Sequence, residues 1–529
     1  MPIDALPNDL DALRALVSQL TSERDVAIAE SRRLTEQNDQ LRHLLKQLQR
    51  AQFGQRSERL DRDQMQLALE DIETSLANRN AEEEEQQSSA ADKAAGQGKK
   101  RRINRGALPA HLPRVHVTIE PESIVCPCCH GAMHVIGEES SQRLDKIPAQ
   151  YQVIVTHRPK YGCRACEGAV VQAPAPERLI KNGIPTERLV AAVVVDKFAW
   201  HSPLYRQAQI MKLQGFPVDR STLALWVGVA AAELRPIYLR MKELLLASAK
   251  IAVDETRAPV LDPGRGRTKT GYFWAISRDD RPWGGSDPPG VVYTYAPGRG
   301  GEHAIALLAG YSGIIQCDGY AVYEQLADPT RDGGAVTLAF CWSHWRREFF
   351  DIDKGGPAPI AHEALERIAV LYAIESRIRG RSAEERRAVR QAETKPLIEK
   401  LKAWLESRLI AVSEKSTIAD AIRYGLNRWD GLVRFLDDGR IEMDTNSVER
   451  AMRPIALNRK NSLFAGHDAG AANWACLASL IETAKIHGID PKAYLADILA
   501  KLVNGWPAHN LDELLPWAWA EQYRVRLAA

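Results

Sequence analysis

A leucine heptad governs residues 10–48 and limits them to one kind of structure. Leu13, Leu20, Ala27, Leu34, Leu41 and Leu48 recur every seven residues, and Leu10, Val17, Arg24, Ser31, Asn38 and Leu45 fill the alternating spacings of three and four. An apolar seam repeating in this way faces a partner helix and winds around it. Asn38 at an a position is the polar residue type that sets a two-stranded register, whereas Arg24 and Ser31 weaken the seam. The pattern predicts a leucine-zipper coiled coil over residues 1–52 and a homodimer or higher oligomer. The alternative is a solvated helix packed on the rest of the chain.

With 529 residues the chain exceeds what one core usually organises, so several domains are expected. No apolar run reaches the length of a membrane span, and the N-terminal stretch has early acids and no apolar h-region. These features predict a cytoplasmic protein. The net charge of +2 does not announce nucleic-acid binding, so local patches must carry any such reading. Residues 53–109 read as a flexible linker. They hold the acidic run Glu82–Glu85, a Ser/Ala/Gly stretch to Gly98, and the basic cluster Lys99–Arg102 with Arg105. The stretches near Gly264 and Gly298 do not match a Walker A phosphate loop, which argues against ATP-driven chemistry.

Eight cysteines in a chain without a secretion signal read as thiols or metal ligands. Cys126 and Cys129 form one C-x-x-C knuckle and Cys163 and Cys166 another, so residues 110–175 are expected to hold one structural zinc through four thiolates. Cys128, His130 and His134 compete as ligands, and a strand over Gln152–Thr156 should lead into the second knuckle. Cys317, Cys341 and Cys476 read as packing residues.

Residues 176–246 read as helical. Leu204–Leu213 followed by Gly215, Pro217 and a helix capped by Asp219 through Trp226 outlines a possible helix-turn-helix, with Arg220, Ser221 and Thr222 placed to meet DNA. Two helices packed in an all-α subdomain would look the same. Strand-like runs follow at Ile251–Val253, Tyr272–Ser277, Val291–Tyr295, Ile314–Cys317 and Val336–Cys341, with a helix over Glu302–Ala309 among them. Residues 352–438 turn helical, and Asp490-Pro491 opens a helix ending near Gly505. These runs delimit a core at 247–475 with a helical insertion at 352–438, and a helical C-terminal region at 476–529.

Three carboxylates stand out in this setting. Asp254 and Asp318 follow short apolar strands, where a side chain at a sheet rim can grip a metal. Glu449 opens an apparent helix. Together they could bind two magnesium ions for phosphodiester displacement. Each acid also has a structural reading, the sharpest being Glu449 as the N3 residue of a capping box on Asn446.

Sequence blocks then add to this. Val253-Asp-Glu-Thr256, Cys317-Asp-Gly-Tyr320, Cys341-Trp-Ser-His-Trp-Arg-Arg347 and Asp444-Thr-Asn-Ser-Val-Glu-Arg-Ala-Met-Arg-Pro454 continue into Asn458-Arg-Lys-Asn461 and Leu463-Phe-Ala-Gly466. In these blocks and in its order of parts the chain resembles transposases of the insertion sequence 66 family over nearly its whole length. The resemblance implies a multidomain α/β protein with an RNase H-like, retroviral-integrase-like core. It also implies Asp254, Asp318 and Glu449 as a DDE triad holding Mg²⁺. The activity implied is DNA strand cleavage and strand transfer at element ends, in a bacterial, nucleoid-associated setting. His344, Arg346, Arg347, Arg453, Arg459 and Lys460 become candidates for DNA or active-site support. Double-stranded DNA and small accessory proteins of the element are the implied partners. An RNase H-like nuclease without strand transfer, and an inactive or regulatory DNA-binding protein, are the alternatives.

Overall fold

The computed structural model describes residues 150–162, 170–181, 183–262, 267–331, 333–462 and 465–528, together with Thr21, Arg24 and Cys128. The chain divides into two units, residues 1–147 and 148–529. The expected zipper and linker lie outside the described residues except for Thr21 and Arg24, which are helical. The four knuckle cysteines also lie outside them, as do His130 and His134. Cys128 is an exposed free thiol.

The second unit begins with an extended stretch and a small antiparallel hairpin of β1 (Lys160–Gly162) and β2 (Val170–Gln172). Cys163 and Cys166 fall in sequence between these strands. The strand expected over Gln152–Thr156 does not form; those residues are exposed, with Val153 at 89%. Pairing begins only at Lys160, where a partner strand lies close in sequence.

Three helices follow: α1 (Glu187–Phe198), α2 (Leu204–Leu213) and α3 (Arg220–Leu246). The Thr186 hydroxyl accepts from the Leu189 N–H and caps α1. Gly215, at φ +84°, makes the left-handed turn after α2 that a side chain would resist. The α3 helix runs through Trp226 and on to Leu246, where the helical segment was expected to end. Ala230, Leu234, Ile237, Met241 and Leu245 extend its buried stripe at helical spacing, and Pro236 does not interrupt it. By length and composition α3 could cross a membrane, but this stripe packs in the protein core.

The sheet contains β3 (Lys250–Asp262), β4 (Arg267–Arg278), β5 (Gly290–Ala296), β6 (Ile314–Cys317) and β7 (Thr337–Phe340), with α4 (Gly301–Leu307) between β5 and β6. Its spatial order is β5-β4-β3-β6-β7. The first three strands form an antiparallel meander, and β6 and β7 run parallel to β3. All five expected strand segments are therefore present. The outer edge of β5 would expose unpaired peptide groups. Helix α12 (Asp468–Ile486) covers it: the Val291 N–H donates to Thr483 Oγ1, which donates back to the Val291 carbonyl, and the Tyr293 N–H donates to Ser479 Oγ.

Between β7 and α11 (Asn446–Ser462) lies an all-helical insertion. It holds α5 (Trp342–Asp353), α6 (Pro359–Ile378), α7 (Ala383–Val389), α8 (Lys395–Ala411), α9 (Thr417–Leu426) and α10 (Trp429–Val433). A π turn at Arg390–Thr394 joins α7 to α8. Trp342, Trp345, Phe349, Ile368, Leu401 and Phe435 belong to its own apolar core. The indole N–H groups of Trp342 and Trp345 donate to the Leu432 and Ala421 carbonyls, so these large side chains are buried without leaving a donor unmet. The C-terminal helices are α12, α13 (Pro491–Val503) and α14 (Pro516–Ala528). The Asp490 carboxylate accepts from the Lys492 and Ala493 N–H groups and caps α13, as the Asp-Pro pair predicts. A larger core joins α1, α3, the sheet, α11, α12 and α13, so segments far apart in sequence share one interior.

Candidate active site

Strand pairing places two of the three acids. On β3, only Lys250–Ala252 pair with β6, and Ala252 stands opposite Gln316. Two residues further along each strand come Asp254 and Asp318. Since strand side chains alternate with period two, these acids share a face and a level just past the last β6 pairing. Asp318 is held there by local bonds. Its Oδ1 accepts from the Tyr320 N–H at 3.0 Å. Gly319 lies so close to Tyr424 that an added Cβ would sit 2.4 Å from its hydroxyl, and its carbonyl accepts from Arg428. The insertion thus buttresses the Asp318 turn.

Helix α11 packs across β3 and β4 and brings Glu449 to this face. The Thr445 carbonyl accepts from the Val448 and Glu449 N–H groups, so Thr445 is the capping position and Asn446 is already helical. Glu449 is then the fourth helical residue, not N3 of a capping box on Asn446. Its Oε1 accepts from the Thr445 hydroxyl at 3.3 Å, and His344 Nδ1 on α5 lies 3.6 Å away. The Cys341, His344 and Glu449 donor atoms all lie within 4.8 Å of one another. Burial pushes the Cys341 thiol up to about 11, and its sulfur accepts from the Thr445 N–H.

The electrostatics of Asp254 reflect this crowding. Burial, followed by the charges of Glu255, Asp318 and Glu449, pushes its carboxyl up to about 7, although its Oδ1 accepts from the Glu255 N–H. Neighbouring carboxylates disfavour the ionised form of a buried acid. The oxygen donors and negative charge of these side chains suit a hard divalent cation.

Glu255, Arg299, Tyr320 and Tyr323 were not singled out in the sequence. The Glu255 side chain is 2% exposed and pairs with Arg299 at 2.5 Å, while the Tyr323 hydroxyl donates to its other oxygen at 2.9 Å. The Arg299 guanidinium sits 3.9 Å from the Tyr320 ring centroid. This ties β3 to the loop carrying Asp318. An acid beside Asp254 was the only signal available; nothing in Gly298-Arg299-Gly300 announces its partner.

The basic candidates separate. His344 meets Glu449. Arg346 and Arg347 lie elsewhere on α5, with Arg346 against the Phe350 ring. Arg459 bonds to the Arg257 carbonyl and Thr256 hydroxyl, which makes it a tie between α11 and β3. Arg453 and Lys460 lie on α11, half-buried and exposed respectively. Arg220 and Ser221 are exposed at the start of α3, with Thr222 half-buried beside them.

Comparison with known proteins places this mixed α/β chain among nucleic-acid-processing enzymes, and within them among transposases. A model described as "Transposase IS66 family" matches residues 182–473. The zinc-finger binding domain of transposase IS66 matches 123–167, and the IS66 C-terminal element matches 479–517. One described as "Transposase C of IS166 homeodomain" matches 40–117. The chain belongs to the IS66 transposase family. Similar relatives include three proteins of Sinorhizobium fredii, each described as uncharacterized. Protein y4jD is 48% identical over 79% of this chain and 82% of its own length. Protein y4qI is 41% identical over 98% of both, and y4hP is 39% identical over 92% of this chain and 90% of its own length.

Proposed function

We propose that this transposase cleaves and joins DNA strands at the ends of its element, using Asp254, Asp318 and Glu449 as a DDE triad on an RNase H-like core. The observation that carries this reading is the convergence of three carboxylates from a central strand, its parallel neighbour and a crossing helix. The strand order, with an antiparallel meander flanked by two parallel strands, supports the RNase H-like assignment. Two magnesium ions held by the triad would activate the attacking oxygen and stabilise the leaving one. Asp254 must release its proton to join the ligand set, and the Arg299 network holds the neighbouring loop in place. His344 orients Glu449 from the side.

DNA contact falls to Arg220, Ser221 and Thr222 at the start of α3 and to Arg346, Arg347, Arg453 and Lys460 near the core. Cys126, Cys129, Cys163 and Cys166 hold a structural zinc, since four thiolates leave no open position. The zipper pairs two subunits across two DNA ends, and small accessory proteins of the element join them. Purified protein with Mg²⁺ and labelled element ends should give nicked and joined products. Nicks without joined products would instead indicate a nuclease, and no metal-dependent product would indicate a DNA-binding protein alone.

A further inference from the structure

Lys250 and Ala252 share a sheet face with Asp254, and Gln316 shares one with Asp318. Toward that end of the strands the face opens into a cleft of about 560 Å³, including its mouth, lined also by Ser277, Arg379, Ser447 and Arg450. Three acids line it, and each is already engaged. Asp279 accepts three bonds from Arg281, and Asp444 accepts from the backbone and side-chain N–H groups of Asn446. Glu442 pairs with Arg386 at 2.7 Å.

The cations are different. Among the described residues, the side chains of Lys250, Arg379 and Arg450 make no hydrogen bond, although the carboxylates of Glu442, Asp280 and Asp279 favour the charged form of Lys250 and Arg450 acts on Asp444. Lys250 is only 8% exposed, and burial lowers the affinity of its amine for a proton. Burial disfavours an ammonium in that position, and the surrounding carboxylates offset this only in part. The Ser277 hydroxyl is buried and also lacks a partner. At the first turn of α11 the Ser447 N–H has no backbone acceptor, and the helix directs its positive end there.

We infer that this cleft is a phosphate-binding site, with Lys250 and the α11 N-terminus at its floor and Arg379 and Arg450 at its rim. A buried amine, a hydroxyl and a free helical N–H form a donor set matched to phosphate oxygens. The group bound is a phosphodiester of the DNA strand lying along the carboxylate face. That source rests on the proposed function, whereas the anion chemistry does not.

Two measurements on the full chain test it. Thermal unfolding in inorganic phosphate is compared with chloride at matched ionic strength, and a short element-end duplex is titrated over a salt series. Phosphate should raise the wild-type Tm and leave Lys250→Met unmoved. Lys250→Met should also bind the duplex roughly tenfold more weakly, with a log–log salt slope smaller by about one. Arg379→Ala, at the exposed rim, should weaken both responses and serves if Lys250→Met does not fold. A lost phosphate response with unchanged duplex binding keeps the anion site but assigns it to free phosphate. Variants that keep both wild-type responses overturn the inference. Failure of the function reading is separate: wild type would give no Mg²⁺-dependent products while its phosphate response persisted.

Discussion

Asp254 concentrates the chemistry of the site in one side chain. Replacing Asp254 or Asp318 with Asn, or Glu449 with Gln, keeps size and removes charge. Each variant should lose cleavage and joining while binding element ends near wild type, because affinity comes from basic groups elsewhere. Retained activity in Glu449→Gln with loss in Asp444→Asn would move the third ligand to Asp444, whose carboxyl is also pushed up by burial and by Glu442 and Glu449. The Asp254 carboxyl adds a pH signature. Burial and the neighbouring acids push it up to about 7 in the folded protein, from an ordinary value of 3.8. The native state therefore holds more protons between those values, and stability falls as pH rises through that window. Mg²⁺ should raise the Tm more at pH 8 than at pH 5, and Asp254→Asn should flatten the dependence. An equal Mg²⁺ effect at both pH values in wild type would remove the link between this carboxyl and the cation.

At the scale of elements, the insertion is held by buried charge rather than by apolar packing alone. Arg390 is fully buried and grips Glu375 through two bonds of 2.8 and 2.7 Å, while its remaining nitrogen donates to the Phe435 carbonyl. Arg386, 1% exposed, pairs with Glu442. Breaking one partner of such a pair strands the other charge, so Glu375→Gln should destabilise the insertion by about 3–5 kcal/mol. Denaturant unfolding with hydrogen exchange over 359–442 measures this, and a cost below about 1 kcal/mol would show that the pair is dispensable. The hairpin β1–β2 flanks the second knuckle in sequence. Cys163→Ser should lower bound zinc from about one per chain and destabilise residues 110–175. Metal-free wild-type protein that folds normally would exclude a structural zinc.

For the whole molecule, the proposed function assigns assembly and catalysis to different parts of the chain. Deleting residues 1–52 should lower the mass measured by light scattering while leaving the fold of 148–529 intact. An unchanged mass would place the subunit contact outside the zipper. Within 148–529, helices before and after the sheet complete one interior: α3 and α12 cover it, and α12 also closes the β5 edge through Ser479 and Thr483. Truncation at either flank therefore removes core as well as helix.

Local pattern was enough to read the five strand segments, the α2 helix, the Asp490 cap and the helical character of the insertion, because apolar period and capping chemistry act over a few residues. Asp318 was legible as an acid past a strand end and Glu449 as one at a helix start, whereas Asp254, expected at a strand end, lies inside β3 opposite Ala275 of β4, because pairing with β4 carries the strand on to Asp262. Their common face depends on the Ala252–Gln316 register and the crossing of α11, which are long-range pairings. The same limit applies to Arg459, whose partner lies across the fold on β3. Sequence by itself determined which residues could do chemistry and which segments would be regular. Only tertiary structure decided which charges meet and which are buried, as Lys250 is, because those outcomes depend on contacts between residues far apart in the chain.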